Sequence, residues 1–164
     1  MKILAAVLIV VCSGLAAMCV TDRLRRRSRL LEALLRFVHR MTAQISYALV
    51  PPDRIIRDCA EGDGFFGCCA RGLDEGMTVV RAWSAAAEEC TDCGCLHREE
   101  RLLLCELGGS LGIYDAELQL SALSLYAEKL DGLCAAAETD RREKSRLYTT
   151  CSLLGGALLS ILII

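Results

Sequence analysis

The sequence predicts an all-α fold, an antiparallel bundle of about six helices whose first and last members run on as transmembrane helices. Three observations predict it. Apolar residues recur at spacings of three and four, as in Leu24, Leu31, Leu34, Leu35, Val38, Ile45 and Leu49, which places them on one face of a helix. No stretch alternates apolar and polar residues over strand length, and β-branched residues are sparse. Two hydrophobic segments bracket the chain, each with a cationic block on the side that faces the other.

The first hydrophobic segment runs from Ile3 to Val20, and Arg23, Arg25, Arg26, Arg27 and Arg29 follow it. An apolar helix of about 18 residues reaches roughly 27 Å, enough for a hydrocarbon core of about 30 Å. A cleaved signal peptide is the competing reading, with Lys2 as its charged start and Ala16-Ala17 near the cleavage site. The heavier charge after the segment resists export and favours a retained anchor. The second segment runs from about Thr150 to Ile164, behind Arg141, Arg142, Lys144 and Arg146. Its alternative is an interfacial or re-entrant helix. Cationic residues stay on the cytoplasmic side, so both blocks place the middle of the chain in the cytoplasm. The division expected is an anchor over 1–21, a cytoplasmic bundle over 22–148 and a second span over 149–164.

Each helix of the bundle has its own signals. The first, Asp22 to Leu49, continues out of the anchor and is stopped by Pro51-Pro52, which cannot donate to a helical ladder. A short helix over Asp53–Ala60 opens on an acidic residue. Gly62-Asp63-Gly64 is a turn, Phe65–Leu73 a second short helix, and Gly76 a break. Thr78 caps a helix reaching Glu89, with Val79, Val80, Trp83 and Ala87 on its face. A cysteine-rich loop leads to a helix over Leu96–Leu107, and the Gly108 to Gly112 run breaks the chain again. Asp115 caps the last helix, which is continuous into the second anchor.

The formal net charge of −2 hides its arrangement. The chain is basic at both anchor-proximal ends and acidic between them, at Glu88, Glu89, Asp92, Glu99, Glu100 and Glu106. The basic blocks (Arg23, Arg25, Arg26, Arg27 and Arg29 with Arg141, Arg142, Lys144 and Arg146) suit anionic lipid headgroups. No aromatic platform or recognition motif accompanies them, which argues against nucleic acid.

Eleven cysteines raise the question of metal or redox chemistry. A cytoplasmic placement argues against a disulfide framework. Cys90, Cys93, Cys95 and His97 have ligand types that zinc prefers, and they form the one candidate metal cluster. Four ligands within eight residues leave little loop to wrap a tetrahedron, and no second C-x-x-C follows. The expectation is therefore no metal and no cofactor, with a membrane-anchored zinc or redox-sensing protein built on Cys90 to His97 as the alternative function. A phosphate loop and a nucleophile elbow are both missing, and two histidines offer little for catalysis. The reading is of a protein that is not an enzyme and takes no small-molecule substrate.

Several motifs then converge. Gln44-Ile45-Ser46-Tyr47 followed by Pro51-Pro52, and Gly76 through Ala82-Trp83, are similar to segments of the stage III sporulation protein AB family. Most specific is Leu107-Gly108-Gly109-Ser110-Leu111-Gly112-Ile113-Tyr114-Asp115 with Gln119, which resembles the family's F-G-x-x-L-G-x-S-D-x-x-x-Q. The resemblance covers essentially the whole chain. Gln44, Leu107 and Tyr114 stand where Glu, Phe and Ser are usual, and the Cys90 to Cys95 loop is foreign to the pattern. The resemblance implies a fold similar to the cytoplasmic helical domains of F-type platform proteins of type II secretion. It also implies a place in the channel complex between mother cell and forespore, in the mother-cell membrane. The partner it implies is a cytoplasmic secretion-type ATPase, the stage III sporulation AA protein, with other membrane proteins of the complex. On that analogy Gly108, Gly112, Asp115 and Gln119, with the Cys90–His97 loop, form the partner-facing end.

Overall fold

The computed structural model describes the backbone of residues 2–47, 50–60, 62–111 and 116–163, and the side chains of 18–45, 50–60, 62–111, 117–148, 150, 151 and 155. Two helices dominate. α1 spans Lys2–Tyr47 and α6 spans Ala116–Ile163. At 1.5 Å per residue each is about 70 Å long. They share the largest interface in the molecule and run antiparallel: Arg27 of α1 meets Asp140 of α6, and Thr21 and Arg25 lie beside Arg141 to Arg146. The residues next to both sequence-predicted anchors therefore sit at one end, called here the base. Among the described residues no helix is long and apolar enough to cross a membrane. The side chains of 1–17 and nearly all of those after Cys151, which make up the two predicted anchors, lie outside the described residues.

Four shorter helices fill one side of this pair: α2 (Pro52–Asp58), α3 (Phe65–Asp74), α4 (Val79–Glu89) and α5 (Arg98–Ser110), with a 3-10 turn over Thr91–Cys95 before α5. Among the described residues there is no strand, so the all-α architecture stands. Pro51 and Pro52 do end α1 and begin α2, with proline in the first turn, where no intrahelical N–H is needed. Gly62 (φ 61°) and Gly76 (φ 84°) occupy the left-handed region at the two turns flanking α3, a conformation that a Cβ disfavours.

The helix expected over Leu96–Leu107 starts two residues later and continues through Gly108 and Gly109 to Ser110. The glycines were expected to break it. Glycine costs only about 1 kcal/mol in a helix interior, and packing outweighs that here. Gly112 and Asp115, the proposed turn and cap, lie outside the described residues.

The core is organised around aromatics. All three phenylalanines and the single tryptophan of the chain form one cluster. Trp83 lies edge-on to Phe65 (centroids 4.8 Å apart) and Phe66 (5.9 Å), and Phe37 packs tilted on Phe66 (5.2 Å) and Trp83 (5.4 Å). Edge-to-face pairs at such separations are favourable beyond the area they bury. Phe37 belongs to α1, Phe65 and Phe66 to α3 and Trp83 to α4, so the cluster clamps three helices. Leu31, Leu34, Val38 and Met41 of α1, with Leu123 and Leu130 of α6, extend the buried layer along the long pair.

Candidate functional site

The base carries the chemistry. Five arginines of α1 were expected to lie on the membrane surface, and the structure takes one of them away. Arg27 is buried, with its side chain only 7% exposed. Its Nε donates to both oxygens of Glu100 (2.9 and 3.1 Å), its Nη2 donates to Glu100 Oε1 at 2.6 Å, and its Nη1 donates to Asp140 Oδ2 at 3.0 Å. Glu100 comes from α5 and Asp140 from α6, so one guanidinium ties three helices. The Glu100 carboxylate also accepts the His97 N–H at 2.8 Å, satisfying a free donor at the start of α5. Burial disfavours the Arg27 charge. The hydrogen bonds to Glu100 and Asp140 outweigh that and raise its pKa above the ordinary value.

The sequence contained a signal for this triad. Arg27 lies on the stripe Leu24, Leu31, Leu34, Glu100 on the stripe Leu103, Leu104, Leu107, and Asp140 one turn from Ala137 and two from Leu133. A charge in register with a buried stripe must be paired.

The remaining cations divide. Arg26 pairs with Asp22 and, at 3.9 Å, with Asp92. Glu138 accepts a two-pronged contact from Arg141, both distances 2.8 Å, and a third bond from Arg142 Nε. Those bonds, from Arg141 and then Arg142, hold the Glu138 carboxyl down at about 2. Lys144 approaches Asp140 at 3.6 Å, and the Arg27 hydrogen bond, helped by Lys144, lowers the Asp140 pKa. Arg23, Arg25, Arg29 and Arg146 are exposed, with no ion pair among the described residues.

A pH dependence follows with a definite sign. A carboxyl whose pKa is lower folded than unfolded adds stability that is present above its unfolded pKa and is lost as pH falls through the folded one. With ordinary values of 4.5 for Glu138 and 3.8 for Asp140, urea midpoints should be flat above pH about 5 and drop between about 4 and 2. A midpoint unchanged down to pH about 2 would contradict the pairing at the base.

The cysteine cluster is not assembled as the sequence suggested. Cys90 and Cys93, three apart on a turn of three residues per repeat, share a side and turn into the core. There Cys90 approaches Cys68 and Cys93 approaches Cys90. Cys95 faces the other way, its thiol 4.0 Å from the Thr91 carbonyl, and His97 is the N-cap of α5. Among the described residues no group of three or more His, Cys, Asp or Glu side chains is placed to hold a metal ion. Burial pushes the Cys69 and Cys90 thiols up, and Cys93 up to about 12, so they are poor nucleophiles. A short pulse of N-ethylmaleimide on the folded chain should label exposed Cys105 and leave Cys69 and Cys93 unmodified until urea is added, read by peptide mass. Equal labelling of Cys93 and Cys105 in the folded state would rule out this packing.

The proposed partner-facing residues are also redistributed. Gly108 and Gln119 are buried, and Gly112 and Asp115 lie outside the described residues. A Cβ on Gly108 would fall 2.1 Å from Trp83 Cδ1, so this glycine is where the indole crosses α5. The Cys90–His97 segment is near the base, through Arg26–Asp92 and Arg27–Glu100, not at the far end. What the far half of α6 exposes is Leu118 (60%) and Leu125 (51%), seven residues apart on one face. On α1 near the same end, Gln44 Oε1 is buried without a hydrogen-bond partner.

Comparison with known proteins agrees with this architecture. The family model described as stage III sporulation protein AB matches residues 2–164. The stage III sporulation protein AB of Bacillus subtilis (strain 168) is 25% identical over 169 residues, covering 99% of each chain. A solved structure of a stage III sporulation protein AB superposes with a TM-score of 0.59 at 22% identity, covering 72% of this chain and 98% of its own. The match over essentially the full length establishes that the chain belongs to the stage III sporulation protein AB family.

Proposed function

We propose that the chain is a non-enzymatic, membrane-tethered component of the mother cell–forespore channel complex needed for endospore formation, serving as a platform for a cytoplasmic secretion-type ATPase. One observation carries this reading. The two long helices are antiparallel, bring both cationic blocks to one end, and leave exposed leucines toward the other. In sequence each helix runs on from the base into an apolar segment, Ile3 to Val20 and Thr150 to Ile164, which supports tethering at both termini. Membership of a sporulation family supports the process. The reading of Gly108 and Gln119 as direct contacts gives way to Leu118 and Leu125, whose exposure suits an apolar docking face. A partner donor reaching Gln44 Oε1 would satisfy that acceptor.

The test is a pull-down of the purified ATPase of the same stage with the full chain in detergent micelles. L118E/L125E should lose the ATPase while still fractionating with membranes, and Arg54→Gln, at an exposed position of α2, should retain it. Undiminished capture by L118E/L125E would sink the docking face. Release of the wild-type chain from membranes by carbonate would sink the tether.

A further inference from the structure

A groove of about 500 Å³ opens between α1 and α6 at the base, lined by Thr21, Arg25, Arg141, Arg142, Glu143 and Arg146, with Ser145. Its walls carry four guanidinium groups against one carboxylate. Glu138 holds Arg141 and Arg142 in place through their Nε atoms and Arg141 Nη2, leaving their other N–H donors uncommitted. The side chains of Arg25 and Arg146, one from each helix, have no hydrogen bond or ion pair among the described residues. A concave site with converging, unspent guanidinium donors matches the oxygens of a phosphate ester.

On the terminal side of the groove-lining residues, both helices expose apolar or tyrosine side chains. Met18 is 71% exposed, Leu147 62% and Tyr148 38%, and all three lie within two turns of Arg25 or Arg146 in sequence. Cations beside exposed apolar and tyrosine side chains form the pattern of a membrane interface. A free phosphate or nucleotide would have no use for those side chains, whereas a phospholipid places its acyl region there.

We propose that this groove binds the headgroup phosphate of an anionic phospholipid, clamped between Arg25 and Arg146, with the acyl chains against Met18, Leu147 and Tyr148. The inference deepens the tethering reading and rests on it. It makes the lipid a specific ligand that bridges α1 and α6, rather than a diffuse charged surface.

The experiment is native mass spectrometry of the full chain in detergent micelles with equimolar phosphatidylglycerol and phosphatidylcholine, beside calorimetric titration with inorganic phosphate. The wild-type chain should retain phosphatidylglycerol preferentially. R25Q/R146Q should lower that retention about tenfold or more, and Arg36→Gln, an exposed arginine elsewhere on α1, should leave it unchanged. Equal retention of both lipids, or no loss in R25Q/R146Q of unchanged helical content, would overturn the proposal. Phosphate binding as tight as the lipid's would overturn the lipid as the ligand. Carbonate extraction of native membranes reports the tether separately, so a chain that stays in the membrane without lipid selectivity refutes the groove alone.

Discussion

Gly108→Ala is expected to destabilise the fold by about 3 kcal/mol or more, the upper range for overpacking a core. The added methyl would lie 2.1, 2.5 and 2.7 Å from three atoms of the Trp83 indole, and the ring has nowhere to go. Trp83 Nε1 donates to the Leu104 carbonyl at 2.9 Å, one turn before Gly108 on the same helix. Phe65, Phe66 and Phe37 close the other sides. The indole therefore lies directly on the backbone of α5, an approach that only a residue without a side chain permits. Urea unfolding of the full chain in micelles, followed by circular dichroism, measures the loss. Removing the ring supplies the control: Trp83→Ala alone should cost about 3–5 kcal/mol, and the double variant should cost less than the sum, because the clash is gone. Additive costs would mean that the two residues do not touch.

The second large effect belongs to the ion triad at the base. Glu100→Ala should cost about 3–5 kcal/mol, because it strands a buried guanidinium. It also removes the acceptor for the His97 N–H. Asp140→Asn should cost clearly less, since that carboxylate is 39% exposed and water can replace it at the Arg27 Nη1. The informative variant replaces both buried charges. Arg27→Met with Glu100→Leu should recover most of the stability lost in Glu100→Ala, because a well-packed apolar pair avoids the desolvation of two ions. If the double variant is no more stable than Glu100→Ala, the ions do more than satisfy each other. The triad sits about six residues above the predicted first anchor, or roughly 9 Å along the helix. Loosening it would free α5 from the base while leaving the aromatic cluster in place.

The local elements were largely legible because their signals are local. The three-and-four spacing from Leu24 to Ile45 marks α1, the proline pair its end, and Gly62 and Gly76 the turns around α3. Gly108 and Gly109 misled for the same reason: read locally they are breakers, whereas in the fold the helix continues and the indole lies across Gly108. The cationic blocks were legible as blocks but not residue by residue. Arg26, Arg27 and Arg29 look alike in a charge run, yet the helical register turns one of them inward, and its partners stand 73 and 113 residues away. The cysteines show the converse. C-x-x-C spacing advertises ligands, whereas the 3-10 turn buries Cys90 and Cys93 beside α3 and turns Cys95 outward.

By itself the sequence determined the fold class, the order and approximate limits of the helices, and the family, since each rests on patterns within a few residues of one another. The tertiary structure alone decided which charges are buried, which glycine is a contact surface, and that the free arginines of α1 and α6 converge on one groove. Those outcomes depend on how helices distant in sequence rotate against one another. That rotation is set by the packing of Trp83, Phe37 and the leucine stripes, where burial and close approach of many side chains act together and no short window of residues records the result.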